Sequence, residues 1–181
     1  MIIEVTDLTK SYNRKRVVKK INFSVQKGEI FGILGPNGAG KSTTLEMIEA
    51  LRPIDGGKVT LNGIDVASEP SKIKHIIGIQ LQSTSFANRL TLVEQLNLFA
   101  SLYGETIDAM KLLKKVQLTD KAKSYVEQLS GGQKQRFAIA AALVNKPLVL
   151  LGFETLDCHL FYLLYRNISL QRTGSSRPGR G

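Results

Sequence analysis

The sequence predicts an α/β fold built on a mostly parallel central sheet. Two observations carry this. Apolar strand-like runs alternate with helical stretches along the chain. The run Ile30–Leu34 is continuously apolar, as in a strand buried on both faces, and a glycine-rich loop and a helix follow it directly.

The elements follow in order. "IIEVTDL" reads as an opening strand, and "VVKKINFSV" as a second with partial alternation. Together they predict an antiparallel N-terminal part. "QKGE" is a turn before "IFGIL". A helix is predicted from Lys41 to about Leu51, broken by "PIDGG". "KVTLNGIDV" is a hairpin turning at Asn62-Gly63. "HIIGIQLQ" is a short strand. Thr91 and Glu94 form a capping box for a helix whose apolar face is Leu92, Leu96, Phe99 and Tyr103, and Gly104 ends it. "AMKLLKKVQL" is a further helix, Ser130 opens another, and "PLVLL" is a buried strand. Thr91–Lys123 is mostly helical and reads as a subdomain inserted between strands. The end, "QRTGSSRPGRG", is of low complexity and is expected to be disordered.

The chain has 181 residues, is 43% hydrophobic and carries a net charge of +10. That suffices for one domain with its own core. One cysteine excludes an internal disulfide and fits a reducing compartment. The N-terminus reads as no signal peptide, and "FAIAAALV" is too short to span a bilayer, so a soluble chain is expected. The excess of positive charge suggests an anionic partner. Yet "NRKR", "KK" at Lys19–Lys20 and "KLLKK" are short and scattered, and four arginines fall after Asp157. Specific nucleic-acid binding is not expected.

Two motifs carry chemistry. "GPNGAGKST", Gly35–Thr43, fits G-x-x-x-x-G-K-[ST] between a buried strand and a helix. Gly35, Gly38 and Gly40 let the backbone curl so that amides point at phosphate oxygens. Pro36, Asn37, Ala39 and Thr43 complete the loop. The helix start adds its dipole, Lys41 reaches the outer phosphates, and the Ser42 hydroxyl suits Mg²⁺. "LSGGQKQR" is the second. Ser130 and Gln133 form a capping box, but a capping box does not call for Gly131 and Gly132 in a first turn. Their bare amides make another anion site.

Taken together, "GPNGAGKST" and "LSGGQ" resemble the Walker A loop and signature motif of the nucleotide-binding domain of ABC transporters. The resemblance covers Ile2 to about Leu151. "LTLVEQLNLFASLYG" is most similar to the ATPase subunits of bacterial drug and lipid exporters. The resemblance implies a P-loop NTPase fold of ABC type over residues 1–151, with a helical subdomain at about 84–136 and a divergent tail at 152–181. It implies ATP and Mg²⁺ as cofactors and a head-to-tail dimer, in which Ser130, Gly131, Gly132 and Gln133 face the partner's ATP. It implies a transmembrane permease, and a place on the cytoplasmic face of the membrane through that permease. Tyr12 matches the aromatic residue that stacks on adenine. Gln82 matches the glutamine that senses Mg²⁺ and couples to the permease.

The pattern then breaks. The family's Walker B strand ends in an Asp for Mg²⁺ and a Glu that orients water. Counted without gaps, these positions fall on Phe153 and Glu154. A short deletion, with "TLD" as remnant of a later loop ending in Asp157, is the other alignment. His159 lies too close to that strand to be the family's γ-phosphate histidine, and His75 reads as a surface residue. The abrupt loss of motif suggests a frameshifted or truncated reading, or a degenerate paralogue. ATP binding is expected to persist. Hydrolysis is expected to fall by on the order of a hundredfold or more, as for loss of an oxyanion donor. An open apolar sheet edge is also expected. Four readings follow: an exporter's ATP-binding subunit with impaired turnover, a ribosome-acting ABC protein, a DNA-repair or condensin-type head, and a non-hydrolysing or non-functional nucleotide-binding module. A single Walker A loop argues against the second, and the absence of a heptad insertion argues against the third.

Overall fold

The first strand, β1 (Ile3–Tyr12), buries Ile3, Val5 and Leu8 and exposes Glu4 and Thr6. Its strict alternation slips at Asp7, which has φ 47° and sits at a bulge. The chain returns as β2 (Lys15–Val25), antiparallel to β1. The computed structural model describes residues 1–80 and 86–152 in full, and the backbone of 158–162.

Next come β3 (Phe31–Leu34) and α1 (Lys41–Ile48). Then β4 (Gly56–Leu61) and β5 (Ile64–Asp65) form the predicted hairpin. Asn62 and Gly63, at φ 49° and 80°, give the left-handed pair its two-residue turn needs. A short helix that the sequence did not announce, α2 (Pro70–Ile76), starts on its proline and leads straight into β6 (Ile77–Gln80). His75 thus stands exposed in the last turn of a helix, with its ring edge-on to Tyr103.

The helical stretch holds α3 (Leu92–Leu102), α4 (Ala109–Lys115), two 3₁₀ turns and α5 (Gly131–Ala142). The Thr91–Glu94 capping box is present. Leu92 and Leu96 are fully buried, whereas Tyr103 is mostly outside the core. The chain ends its described course with β7 (Val149–Gly152) and β8 (Cys158–Tyr162).

Two sheets result. The antiparallel one runs β2-β1-β4-β5, and the other β3-β8-β7-β6. β6 and β7 are parallel, as expected. β8 is antiparallel to both β7 and β3. Residues 153–157 are too few for a crossover of a dozen or more residues, so only a hairpin return is open to the strand after β7. The sequence pattern predicted no element in this part of the tail.

One expectation is corrected. β3 is not buried on both faces. Ile30 and Leu34 are 66% and 70% exposed. Among the described residues β3 lies at the edge of its sheet, with β8 as its one neighbouring strand.

Buried side chains gather in two clusters. One joins the antiparallel sheet, α1, α2 and the second sheet through residues such as Leu8, Leu45, Ile48, Leu61, Ile73 and Leu151. The other joins α3, α4 and α5 through Leu92, Leu96, Leu113, Phe137 and Val144. The seam between them is tight. A Cβ on Gly78 would stand 2.1 Å from the Ala142 carbonyl oxygen, so only glycine lets α5 lie on β6. Asn145 is buried there and donates to the Ile77 carbonyl at 2.8 Å.

Candidate functional site

The loop between β3 and α1 is shaped by its glycines and held by its lysine. Gly38 and Gly40 have φ 80° and 89°, values that favour glycine. Gly40 has a second reason. A Cβ there would lie 2.9 Å from the Val17 carbonyl oxygen on β2. Gly40 is the N-cap of α1 and offers no side-chain cap, so the first amides of the helix point into the loop. Thr44 closes the first helical turn on Gly40 through both its amide and its hydroxyl.

Lys41 is buried, 6% exposed, and its Nζ donates to the carbonyls of Gly35 at 2.6 Å and Pro36 at 3.0 Å. A cation is thereby fixed at the mouth of a positive helix end. Pro36, Asn37, Gly38 and Ala39 are exposed, and Ser42 and Thr43 continue on the first turn. A groove of about 450 Å³ opens beside the loop. Gly38, Ala39, Gly40, Lys41 and Thr44 form one wall, and β2 residues from Lys15 to Lys19 form the other. Sequence reasoning missed that second wall, because only the β1–β2 pairing brings it near.

Tyr12 is not on this groove. Its ring lies 5.4 Å from the Arg52 guanidinium and 5.8 Å from Lys10 Nζ. Lys10 is anchored in turn by the Pro53 carbonyl at 2.7 Å and Asp55 at 2.6 Å. That bond to Lys10, then one from the Ser11 amide, hold the Asp55 carboxyl below the usual carboxylate range.

The second motif is built differently. Ser130 caps α5, its hydroxyl accepting from the Gln133 amide, while Gln133 Oε1 accepts from the Ser130 amide at 2.9 Å. Gly131 and Gly132 are exposed, neither has a positive φ, and a Cβ on either would meet nothing within 4 Å. Among the described residues, neither backbone nor packing asks for glycine there.

Gln82, Phe153, Glu154 and Asp157 lie outside the described residues, and so does the question of which Walker B alignment holds. Cys158 pairs with Leu34, so β8 starts at the edge of the sheet from which the phosphate loop leaves. Among the described residues, no group of three or more His, Cys, Asp or Glu could hold a metal ion.

Comparison with known proteins decides the family. The ABC transporter family matches residues 18–155. The chain belongs to that family. It is 43% identical over 158 residues to the linearmycin resistance ATP-binding protein LnrL of Bacillus subtilis, covering 84% of this chain and 51% of the relative. It is 40% identical over 177 residues to the Nod factor export ATP-binding protein I of Burkholderia pseudomallei, covering 92% and 58%. It is 38% identical over 161 residues to the spermidine/putrescine import ATP-binding protein PotA of Pasteurella multocida, covering 86% and 43%. The chain thus spans about half the length of the curated relatives it matches. A solved dimeric ATP-binding cassette in a post-hydrolysis state, bound to ADP and Pi, superposes with TM-score 0.70 at 32% identity, covering 83% of this chain and 72% of that one. The ABC fold inferred from the sequence is therefore established. Among the described residues no helix is long and apolar enough to cross a membrane.

Proposed function

We propose that this chain is the ATP-binding subunit of an ABC transporter and binds ATP in the groove between the Walker A loop and β2. The observation that carries the reading is the uncapped, glycine-turned start of α1 with Lys41 fixed beside it. Loop amides and the helix end would take the phosphates, and Lys41 would exchange its bonds to Gly35 and Pro36 for the outer phosphates. Mg²⁺ entering with the nucleotide would be held by the Ser42 hydroxyl and by phosphate oxygens, and would neutralise phosphate charge. Gln82 is assigned the coupling role and Tyr12 the adenine contact. The latter requires the Tyr12 ring to leave Arg52.

The signature glycines support a head-to-tail dimer. Among the described residues nothing packs against these glycines, and a partner's γ-phosphate approaching closely would give their amides a use. On this reading the dimer works at the cytoplasmic face of the membrane, against a permease. Export is the favoured direction, on the similarity to the linearmycin resistance and Nod factor export proteins, although a spermidine/putrescine importer is also similar. Turnover is proposed to be slow. Phe153 stands where an Mg²⁺-binding Asp belongs in the ungapped alignment, and the metal ion such an Asp anchors supplies several kcal/mol of transition-state charge stabilisation. The second reading, a module that binds without hydrolysing, rests on that same residue.

Titration of ATP against the wild-type chain and Lys41→Ala tests the site. Unchanged affinity in the variant overturns it. Single-turnover hydrolysis then separates the two readings: measurable phosphate release supports slow turnover, and none supports the binding module.

A further inference from the structure

The β1–β2 hairpin carries a second cavity, of about 520 Å³, lined by Ser11, Arg14, Arg16, Lys19 and Lys20. It has four cations and no acid in its lining. None of the four takes part in an ion pair or hydrogen bond through its side chain among the described residues. Lysines on an edge strand commonly guard against strand pairing, and β2 is an edge strand. That accounts for charge on the edge. It does not account for convergence on one concavity.

Two irregularities in β2 produce the convergence. Thr9 pairs with Lys19 and Leu8 with Ile21, so Lys20 is an extra residue, and its φ is 52°. Lys10 pairs with Val18 and Ser11 with Arg16, so Val17 is another. Strict alternation would send Lys19 and Lys20 to opposite faces. The bulge turns both onto the same cavity. Arg16 and Lys19 line this cavity and the Walker A groove alike, so the two volumes share a wall.

We propose that the hairpin cavity is a second phosphate site, taking phosphate groups beyond those the Walker A loop holds. These come either from a nucleotide phosphorylated on its ribose or from a free inorganic polyphosphate. Concentrated, unpaired cations around a small concavity suit a compact polyanion. A nucleic acid would be better served by a basic stripe with stacking aromatics, and no aromatic side chain lines this cavity.

The test is calorimetric titration of the chain with sodium tripolyphosphate in saturating ATP, and separately with adenosine 3′-phosphate 5′-triphosphate against ATP. The variant is Arg14→Asn with Lys20→Asn. Both residues line only the second cavity, and both have positive φ, which asparagine accepts. Tripolyphosphate is expected to bind with ATP present, or the 3′-phosphorylated nucleotide to bind more tightly than ATP. The variant should lose that affinity at least tenfold, about 1.4 kcal/mol, while its affinity for ATP stays as in the wild type. The first arm identifies a free polyphosphate and the second a nucleotide-borne phosphate. The proposal fails if neither arm shows binding, if the variant behaves as the wild type, or if single-stranded DNA displaces the polyphosphate from this face. Both arms rest on the ATP reading, because ATP must fill the Walker A groove in the first and anchor the nucleotide there in the second. Failure of that reading shows in Lys41→Ala, and failure of this one in the asparagine variant.

Discussion

The starts of α1 and α5 are both glycine-flanked helix N-termini that we propose for phosphate, yet they are made in opposite ways. At α1 the geometry is enforced from within. Gly40 is demanded by its φ and by the Val17 carbonyl, no side chain caps the helix, and Lys41 is folded onto the loop. At α5 a reciprocal Ser130–Gln133 box caps the start, and the glycines are demanded by nothing among the described residues. The first is a finished half-site. The second is finished as a helix but open as a surface. A glycine required by its own fold and one required by something outside it look alike in a sequence. They separate once the space around a Cβ is measured.

The comparison can be broken by substitution. The largest effect is expected from Lys41→Ala, which should weaken ATP binding on the order of a hundredfold, from the loss of charge-assisted bonds of about 1.5–3 kcal/mol each. Isothermal titration reads it, and the same change should leave α5 untouched.

Next is the far end of α1. Glu49 is 2% exposed, and its Oε1 has no hydrogen-bond partner among the described residues. Burial, and then the neighbouring Glu46 charge, raise its carboxyl from 4.5 to about 7. The folded chain therefore keeps a proton there that the unfolded chain releases above its ordinary value. The stability so gained is complete below about pH 4.5 and is lost as pH rises through about 7. Glu49→Gln should flatten that slope, by about 2–3 kcal/mol across the window. Urea titrations at pH 5 and 8 would show it, and equal slopes in both proteins would count against a buried, protonated Glu49.

Gly40→Ala should then destabilise by about 1–3 kcal/mol, because it adds both backbone strain and a contact with Val17. Gly132→Ala should do the reverse, stabilising by about 0.4–1 kcal/mol as glycine leaves a helix without strain. That variant should nevertheless lose ATP-dependent dimerisation in light scattering. A dimer that forms normally would show that the bare amides do not serve a partner's phosphate. Ser130→Ala should cost a comparable amount in the other direction, about 1 kcal/mol for a lost cap, seen as a modest shift of the thermal midpoint.

What the sequence disclosed was local. The Walker A spacing, the capping boxes at Thr91 and Ser130 and the Asn62-Gly63 turn are written in a few adjacent residues, and each is present. What it concealed depends on pairing across the chain. The exposure of β3 follows from its place at the sheet edge, which no property of "IFGIL" reveals. The charges at Arg14, Arg16, Lys19 and Lys20 read as scattered because an extra residue at Lys20 shifts the register. The antiparallel course of β8 follows from the short connection after β7. Helix α2 has only Ile73 fully buried and so little periodic signal. Of the site, the Walker A loop and signature were legible, but the β2 wall of the groove was not.

The contact between Gly78 and Ala142 has a mechanical meaning. It joins a helix of 12 residues, about 18 Å long, to the strand that ends at Gln80. With Asn145 bonded to Ile77 at the base, helix and strand cannot slide past one another without a steric clash. They form a rigid crank. In the proposed dimer, a push on the first turn of α5 would be delivered at the end of β6, and the seam would need no moving part of its own.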